Sequence, residues 1–497
     1  MVRKMLPQNR WLVLAIVSSA LLLVVIDMTV LYTALPRLTH DLHASASAKL
    51  WIVNAYPLVV AGLLPGAGAL GDRIGHKKLF AAGLLVFGIA SLAAAFSPTS
   101  AILIASRALL AVGAAMMMPA TLSIVRQTFA NERERAFAIG IWASIASGGA
   151  AIGPVLGGVL LEYFWWGSVF LINVPIVIAA FALTLWIIPN RAGDKTRPWD
   201  LIGSVLIMIG LVGVTYAIKE FAKQKPLYEA ALVAVIVGAV FLTLFVRRQL
   251  LAKQPMIDFS LFRNRRFSSG VAAAFIASLT LVGMELVLSQ RFQLVMGLSP
   301  LEAGLLILPV PLAAFVAGPV AGLALPRLGS ERILWISLLV AGLGIASLLY
   351  AYEASPIVQI SSLVVLGFGF GAAMTAASSA VMLNTPEKSA GTVASIEEVS
   401  YELGGAMGVA LLGSLMSTIY TISLTVPDSM NVSAMVYDSL DEALILAQNL
   451  APDAAMNLIS LAKAAFENAF TVVIIVASAL LIVTSGAIKL ATRAGRA

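Results

Sequence analysis

Apolar residues run in long blocks along the whole chain, and polar residues gather in the short gaps between them. Reading blocks against gaps predicts fourteen spans, at 11–35, 49–70, 79–96, 101–124, 137–160, 167–188, 200–219, 227–247, 267–290, 301–324, 332–352, 356–382, 392–420 and 466–489. Coiled as helices, segments of this length cross a hydrocarbon core of about 30 Å. A β-barrel would show short alternating segments instead. The expected fold class is an all-α polytopic membrane protein. The block at 200–219, Gly-rich and weakly flanked, is the least sharply bounded.

The gaps orient the spans. Basic residues fill every second gap, beginning with Arg3, Lys4 and Arg10, then Arg73, Lys77 and Lys78, then Arg126, Arg133 and Arg135. The series continues through Arg191, Lys195 and Arg197, the cluster from Arg247 to Arg266, Arg327 with Arg332, Lys388, and finally Lys489, Arg493 and Arg496. Cytoplasmic loops collect Lys and Arg, so both termini are expected in the cytoplasm. The segment KEFAKQK at 219–225 is the exception, with three lysines on the outer side. The longest outer gap, 421–465, holds Asp428, Asp438, Asp441, Glu442 and Asp453. Its helical periodicity breaks at Pro452, which predicts a short surface hairpin. That hairpin is either a solvated loop or a lid that attracts cations.

The predicted organisation is a six-helix bundle over 1–190, two inserted spans over 191–260, and a second six-helix bundle over 261–497 that carries the 421–465 loop. Two six-span halves place a substrate site between them near the midplane.

Composition narrows the chemistry. The chain is 60% hydrophobic and 11% charged, against about 25% charged in soluble domains. It has no cysteine, which excludes disulfides and thiolate chemistry. Three scattered histidines, His40, His43 and His76, offer no metal site. The net charge of +7 follows from the loop lysines and arginines rather than from a nucleic-acid surface. The first block lacks a small-residue cleavage site and contains Asp27, so it reads as a retained span and not a signal peptide. No nucleotide-binding Gly loop or nucleophile constellation appears, so neither an enzyme nor an ATP-driven pump is expected.

Four stretches stand out. GALGDRIGHKK at 68–78 combines Gly71 and Gly75, which permit a tight turn, with Asp72 and Arg73, whose ion pair can make and break between conformations. LIASRALLAVGAA at 103–115 puts Arg107 inside a span, where it must find a partner or water. In GGAAIGPVLGG at 148–158, Gly149, Gly153 and Gly157 recur every four residues and make a flat helix face, beside Pro154 and Gly158. VVIDMTVLYTALP at 24–36 carries Asp27. An ionised carboxylate at that depth is costly unless it is paired or hydrated.

These stretches resemble the motifs of the major facilitator superfamily, and the layout resembles its 14-helix drug:proton antiporter branch. Gly71, Asp72, Arg73 and Gly75 match the family's signature loop, with His76 where Arg or Lys is usual. The span-five glycines and Pro154 resemble the antiporter motif of exporters. WWGSVFLINVP at 165–175 matches the aromatic and Asn-Val-Pro entrance to span six, and Asp27, Thr29 and Val30 match the Asp-x-Thr-Val of span one. The resemblance implies that Arg107 supports proton movement. It also implies export of small cationic drugs and antiseptics such as quaternary ammonium compounds and viologens. The drive would be the proton gradient, without a cofactor, in a bacterial inner-membrane protein acting as a monomer. Asn54 and Ala314 are neutral where some dication exporters have acids.

The segment VASIEEVSYELGG at 393–405 supplies the chemistry. Glu398 and Glu402, four residues apart, share a helix face. Two such acids in a low dielectric share a proton, and an arriving cation displaces it. Glu397 either joins them or pairs outward near Lys388. Asp27 and Glu285 supply further acids from the two halves. Tyr32, Trp51, Tyr56, Trp142, Met284 and Phe370 are candidates for an aromatic and thioether pocket around a cation. Uptake symport, export of an endogenous metabolite and a transport-free sensor are the alternatives.

Overall fold

The computed structural model describes residues 9–493 except 45, 197–199, 222–226, 253, 254, 256, 258, 352–355, 384–388 and 428–432. Its helices are α1 (Arg10–Asp41), α2 (Ala46–Ile74), α3 (His76–Ala95), α4 (Ser100–Thr128), α5 (Glu132–Tyr163), α6 (Ser168–Leu171), α7 (Asn173–Ile187), α8 (Leu201–Phe221) and α9 (Tyr228–Leu251). They continue with α10 (Arg265–Gln290), α11 (Pro300–Ile307), α12 (Pro309–Leu328), α13 (Ser330–Ala351), α14 (Pro356–Leu383), α15 (Ala390–Ser423), α16 (Leu440–Ala447) and α17 (Pro452–Arg493). Among the described residues, 14 candidate spans are long and apolar enough to cross a membrane. They fall in the order the hydropathy pattern predicts.

Two spans are composite. Span six is α6 followed by α7, interrupted at Ile172, and span ten is α11 followed by α12, interrupted before Pro309. A proline lacks the N–H that would continue the helix, and it is tolerated as the first residue of a new one.

Helices α1–α7 pack as one bundle and α10–α17 as a second. The inserted pair α8 and α9 pack on each other, and α8 lies against α2 and α15. Gly62 and Gly66 of α2 open room for Met208 and Ser204 of α8. Asp200 staples the pair at its base. It caps α8 through Gly203 N at 2.9 Å and receives Arg248 Nε of α9 at 2.8 Å. Burial favours its neutral form, but the hydrogen bonds from Arg248, Gly203 and Gln249 outweigh this and hold the carboxyl below its usual range.

The bundles meet along two seams, α2 with α15 and α5 with α12. Among the described residues, the close glycine approaches between bundles run from mid-helix, at Gly148 against Phe315, toward the end where α1 starts and α17 finishes beside the basic loops, called here the basic end. The first bundle's core also runs on into Val381, Met382, Ala390, Val393 and Ala394 of the second. The halves are thus closed at the basic end.

At the opposite end the predicted hairpin exists with a different second arm. That arm is the start of α17, one continuous helix of 42 residues. At 1.5 Å per residue it is roughly 60 Å long, about twice the hydrocarbon thickness. Val436, Leu440, Ala443 and Ala447 of the hairpin share one core with Leu412, Met416, Phe466 and Phe470 of the second bundle. Tyr420 donates from Oη to Val436 O at 3.0 Å, and Lys463 Nζ donates to Val295 O at 2.7 Å. The hairpin is built into the second bundle. Asp428 lies outside the described residues, as do Lys223, Lys225 and the side chain of Lys219.

Candidate functional site

Asp27 sits in the buried middle of α1, 2% exposed. Arg107 of α4, 1% exposed, donates from Nη1 to Asp27 Oδ2 at 2.6 Å and from Nε to Ile52 O at 3.3 Å. Its guanidinium also lies 4.8 Å from the ring centroid of Tyr56 on α2. Asn173, the first residue of α7, donates from Nδ2 to Asp27 Oδ1 and to Ser91 Oγ of α3, each at 3.3 Å. Both carboxylate oxygens of Asp27 are therefore held, where α1, α2, α3, α4 and α7 converge. Arg107 does not snorkel; it closes a buried pair. Breaking such a pair by removing one partner costs about 3–5 kcal/mol.

The glycines of span five explain how α1 comes to this place. A side chain at Gly149 would meet Leu22 and Val25 of α1 at 3.1 Å, and one at Gly153 would overlap Thr29. These two glycines seat the stretch of α1 on either side of Asp27. Gly157 is buried and Gly158 is exposed with nothing opposite it. The side chain of Pro154 lies outside the described residues.

The second acid group lies on α15. Gly391 and Ser395 of this helix touch Gly68 of α2. Steps of four, three and four residues carry the same face on to Glu398 and Glu402. Both acids therefore face the first bundle along the α2–α15 seam. Glu398 is 6% exposed and feels the charges of Glu397 and Glu402. Glu402, partly buried, lies near enough to Tyr56 for its charge to act on the phenol. Tyr56 is fully buried and its hydroxyl has no hydrogen-bond partner. Its ring packs on the Arg107 guanidinium, on the helix that α15 meets along the seam.

Glu397 points the other way. It is 1% exposed and accepts from Ser378 Oγ of α14 and from Tyr401 Oη, the latter at 3.2 Å, while Oε2 has no partner. Glu397 is enclosed within the second bundle, whereas the sequence leaves open whether it joins Glu398 and Glu402 or pairs outward; Lys388 itself lies outside the described residues. Glu285 on α10 is exposed and makes no hydrogen bond or ion pair among the described residues.

At the basic end Asp72 crosses the seam. Its carboxylate accepts from Gly391 N at 2.9 Å, Thr392 N at 3.1 Å and Thr392 Oγ1 at 2.9 Å. It thereby caps the N-terminus of α15, whose own N-cap residue, Ser389, makes no capping hydrogen bond. His76 Nε2 lies 3.4 Å from Asp72 Oδ1. Gly75 has φ 97°, a backbone that side-chain-bearing residues rarely adopt, and this is the turn the sequence called for. Gly71 makes room for the His76 ring, and Arg73 is half-buried.

The other candidate pocket residues are dispersed. Trp142 is buried and donates from Nε1 to Thr121 Oγ1 at 3.0 Å within the first bundle. Met284 and Phe370 are buried in the core of the second. Trp51 stacks on Tyr216 of α8, ring centroids 6.2 Å apart, on the flank beside the inserted pair. Asn54 is partly buried on α2, and the side chain of Tyr32 lies outside the described residues. Ala314 is buried where α12 and α14 approach closely: a side chain at Gly371 of α14 would meet its Cα at 2.6 Å.

Several contacts escaped sequence reasoning. Asn173 was visible only as part of a motif. Thr392 and Ser378 look like ordinary small polar residues. Arg291 pairs with Glu467 at 3.0 Å and lies 5.1 Å from the centroid of the Phe470 ring, tying α10 to the outer part of α17. An arginine closing span nine was the available signal.

A family model described as Major Facilitator Superfamily matches residues 17–409. The methyl viologen resistance protein SmvA of Salmonella typhimurium is 42% identical over 461 residues, 92% of this chain and 93% of that protein. The multidrug efflux pump LfrA of Mycolicibacterium smegmatis is 35% identical over 490 residues, 98% of this chain and 97% of that protein. Among solved structures, the human organic anion transporter MFSD10 (TETRAN) aligns with a TM-score of 0.63 over 96% of this chain and 100% of that chain. At 15% identity, that is a likeness of fold alone.

Proposed function

The chain belongs to the Major Facilitator Superfamily, and on that premise we propose that it is a proton-coupled multidrug efflux antiporter of a bacterial inner membrane. Its cargo is lipophilic organic cations, including quaternary ammonium antiseptics, cationic dyes and viologens. The relatives named for methyl viologen resistance and multidrug efflux support the direction and the cargo class. The basic end is the cytoplasmic face, with both termini on it. The protein works as a monomer without a cofactor, and as a transporter rather than an enzyme.

One observation carries the reading: Glu398 and Glu402 face α2, with Tyr56 and then the Asp27–Arg107 pair behind it. Negative charge thus lies on both sides of the line along which the halves separate. A cation and a proton compete for such a site, because in a low dielectric each neutralises the same carboxylates. Alternating access then carries one out and the other in. Asp72 closes the cytoplasmic end by capping α15, so opening that end leaves two helix N–H groups without their acceptor.

The test is uptake of a cationic dye into inverted vesicles under an imposed pH gradient. Accumulation should collapse with the gradient. Accumulation that survives its collapse would refute proton coupling, and better transport of an anion or neutral nutrient would refute the cargo class.

A further inference from the structure

Asn173 begins α7 at the interruption of span six and is fully buried. Its amide nitrogen bonds Asp27 Oδ1 and Ser91 Oγ, but its amide oxygen has no partner. A buried acceptor left empty is unusual, since buried polar atoms are nearly all satisfied. The other Asp27 oxygen is engaged by Arg107 at 2.6 Å. Any proton that Asp27 takes up without releasing Arg107 must therefore settle on Oδ1, the oxygen facing Asn173.

A protonated Oδ1 is a donor, and in the present orientation it would face the donating end of the amide. The two ends of a carboxamide are nearly the same size, so turning it over needs no repacking. Turned over, Asn173 offers its free oxygen to the Asp27 hydroxyl. Ser91, a hydroxyl that both donates and accepts, can serve either orientation.

We propose that Asn173 is a positioning residue for proton exchange at Asp27, donating to the ionised carboxylate in one amide orientation and accepting from the protonated one in the other. Asp27 then exchanges its proton while Arg107 stays in place. The inference rests on the reading of Asp27 as a proton site. The charged or titratable groups facing Asp27 are Arg107 from α4 and Tyr56 from α2, with Glu402 of α15 acting beyond Tyr56. Where α5 meets α1 on either side of Asp27 it presents Gly149 and Gly153, and α3 contributes Ser91.

Asn173→Leu and Asn173→Ser separate this role from a structural one. In proteoliposomes, cation–proton exchange is followed across pH, and tetraphenylphosphonium binding is measured on the same preparations. The bond to an ionised group is the stronger of the two that Asn173→Leu removes. Its exchange profile should move to higher pH by about one unit, with turnover about tenfold lower. Tetraphenylphosphonium affinity should stay within about twofold, and Asn173→Ser, which can donate and accept, should recover part of both losses. A wild-type pH midpoint in a leucine variant that still binds tetraphenylphosphonium overturns the proposal. So does loss of binding by both variants with unchanged size-exclusion behaviour. Asp27→Asn tells the two readings apart: if it retains wild-type proton coupling, the proton-site reading fails; if it loses coupling while Asn173→Leu keeps the normal midpoint, only the present inference fails.

Discussion

The α2–α15 and α5–α12 seams occupy matching places in the two halves and solve the same packing problem with different chemistry. In each, a glycine near the basic end lets backbones touch: Gly68 against Gly391, and Gly322 against Ala136. In each, a turn with a positive-φ glycine follows, Gly75 with φ 97° and Gly329 with φ 78°. The helix starts then diverge. Asn131 caps α5 from within its own chain segment, accepting from Arg133 N at 2.9 Å and Glu134 N at 3.3 Å. The equivalent N–H groups of α15 are capped by Asp72, from the other half. Counting back three residues from each positive-φ glycine, Asp72 corresponds to Pro326, which has no acceptor side chain to offer. The first seam also continues into Glu398 and Glu402, while the second continues into small and apolar residues such as Gly140, Ser144 and Gly318. One seam brings carboxylates to the helix contact, and the other lets small residues glide past one another.

The strongest way to break this contrast is to neutralise the charged seam or the Asp27–Arg107 pair behind it. Asp27→Asn and Glu402→Gln should each lower proton-driven dye transport by about 100-fold, the scale set by removing one member of a buried charged set. Ser144→Ala, on the gliding seam, should stay within about twofold. Equal losses from all three would mean that the seams are not functionally distinct.

Steric substitutions should hit both seams alike. A side chain at Gly391 would meet Gly68 O at 2.5 Å, and one at Gly322 would meet Ala136 O at 2.6 Å. Gly391→Val and Gly322→Val should each disfavour closure by about 1–3 kcal/mol. The chain has no cysteine, so a single thiol placed at Ser395 or Ser144 reports opening by its labelling rate. Unchanged labelling in either valine variant would show that its seam is not a closing contact.

A smaller effect separates the caps. Asp72→Asn should weaken closure by about 1.4 kcal/mol, seen as roughly tenfold faster labelling at Ser395→Cys. Pro326→Ala should leave the rate unchanged. The smallest expected difference is in helix capping itself. Asn131→Ala should cost about 1 kcal/mol of thermal stability, whereas Ser389→Ala should cost less, because Asp72 caps α15 from across the seam. A comparable loss in Ser389→Ala would show that α15 is self-capped.

Much of this protein is legible along the chain because a bilayer imposes one-dimensional rules. Fourteen spans follow from apolar length, since a spanning segment must satisfy its own backbone. Asp27, Arg107, Glu398 and Glu402 stand out because charge is costly in such spans. Gly75 and the span-five glycines are readable as a turn and a close approach. Partners are not readable in that way. Trp51, Trp142, Met284 and Phe370 share a residue class with pocket linings, but each belongs to a different packing surface. Glu397 and Glu398 are adjacent in sequence and point to different neighbours, Ser378 and the α2 seam, because one residue turns a helix by about 100°.

The sequence by itself determined the helix count, the inventory of membrane-embedded charge and the glycines at which backbones approach. Each is a local property, fixed by solvation cost or by the absence of a Cβ. Only the tertiary structure decided that Arg107 belongs to Asp27, that Asp72 caps a helix 319 residues away at Gly391, and that Asn173 holds the far oxygen of Asp27. Those pairings depend on how helices far apart in the chain are rotated and stacked. No residue-type pattern records that, because hydrogen bonds are settled by position to within a fraction of an ångström.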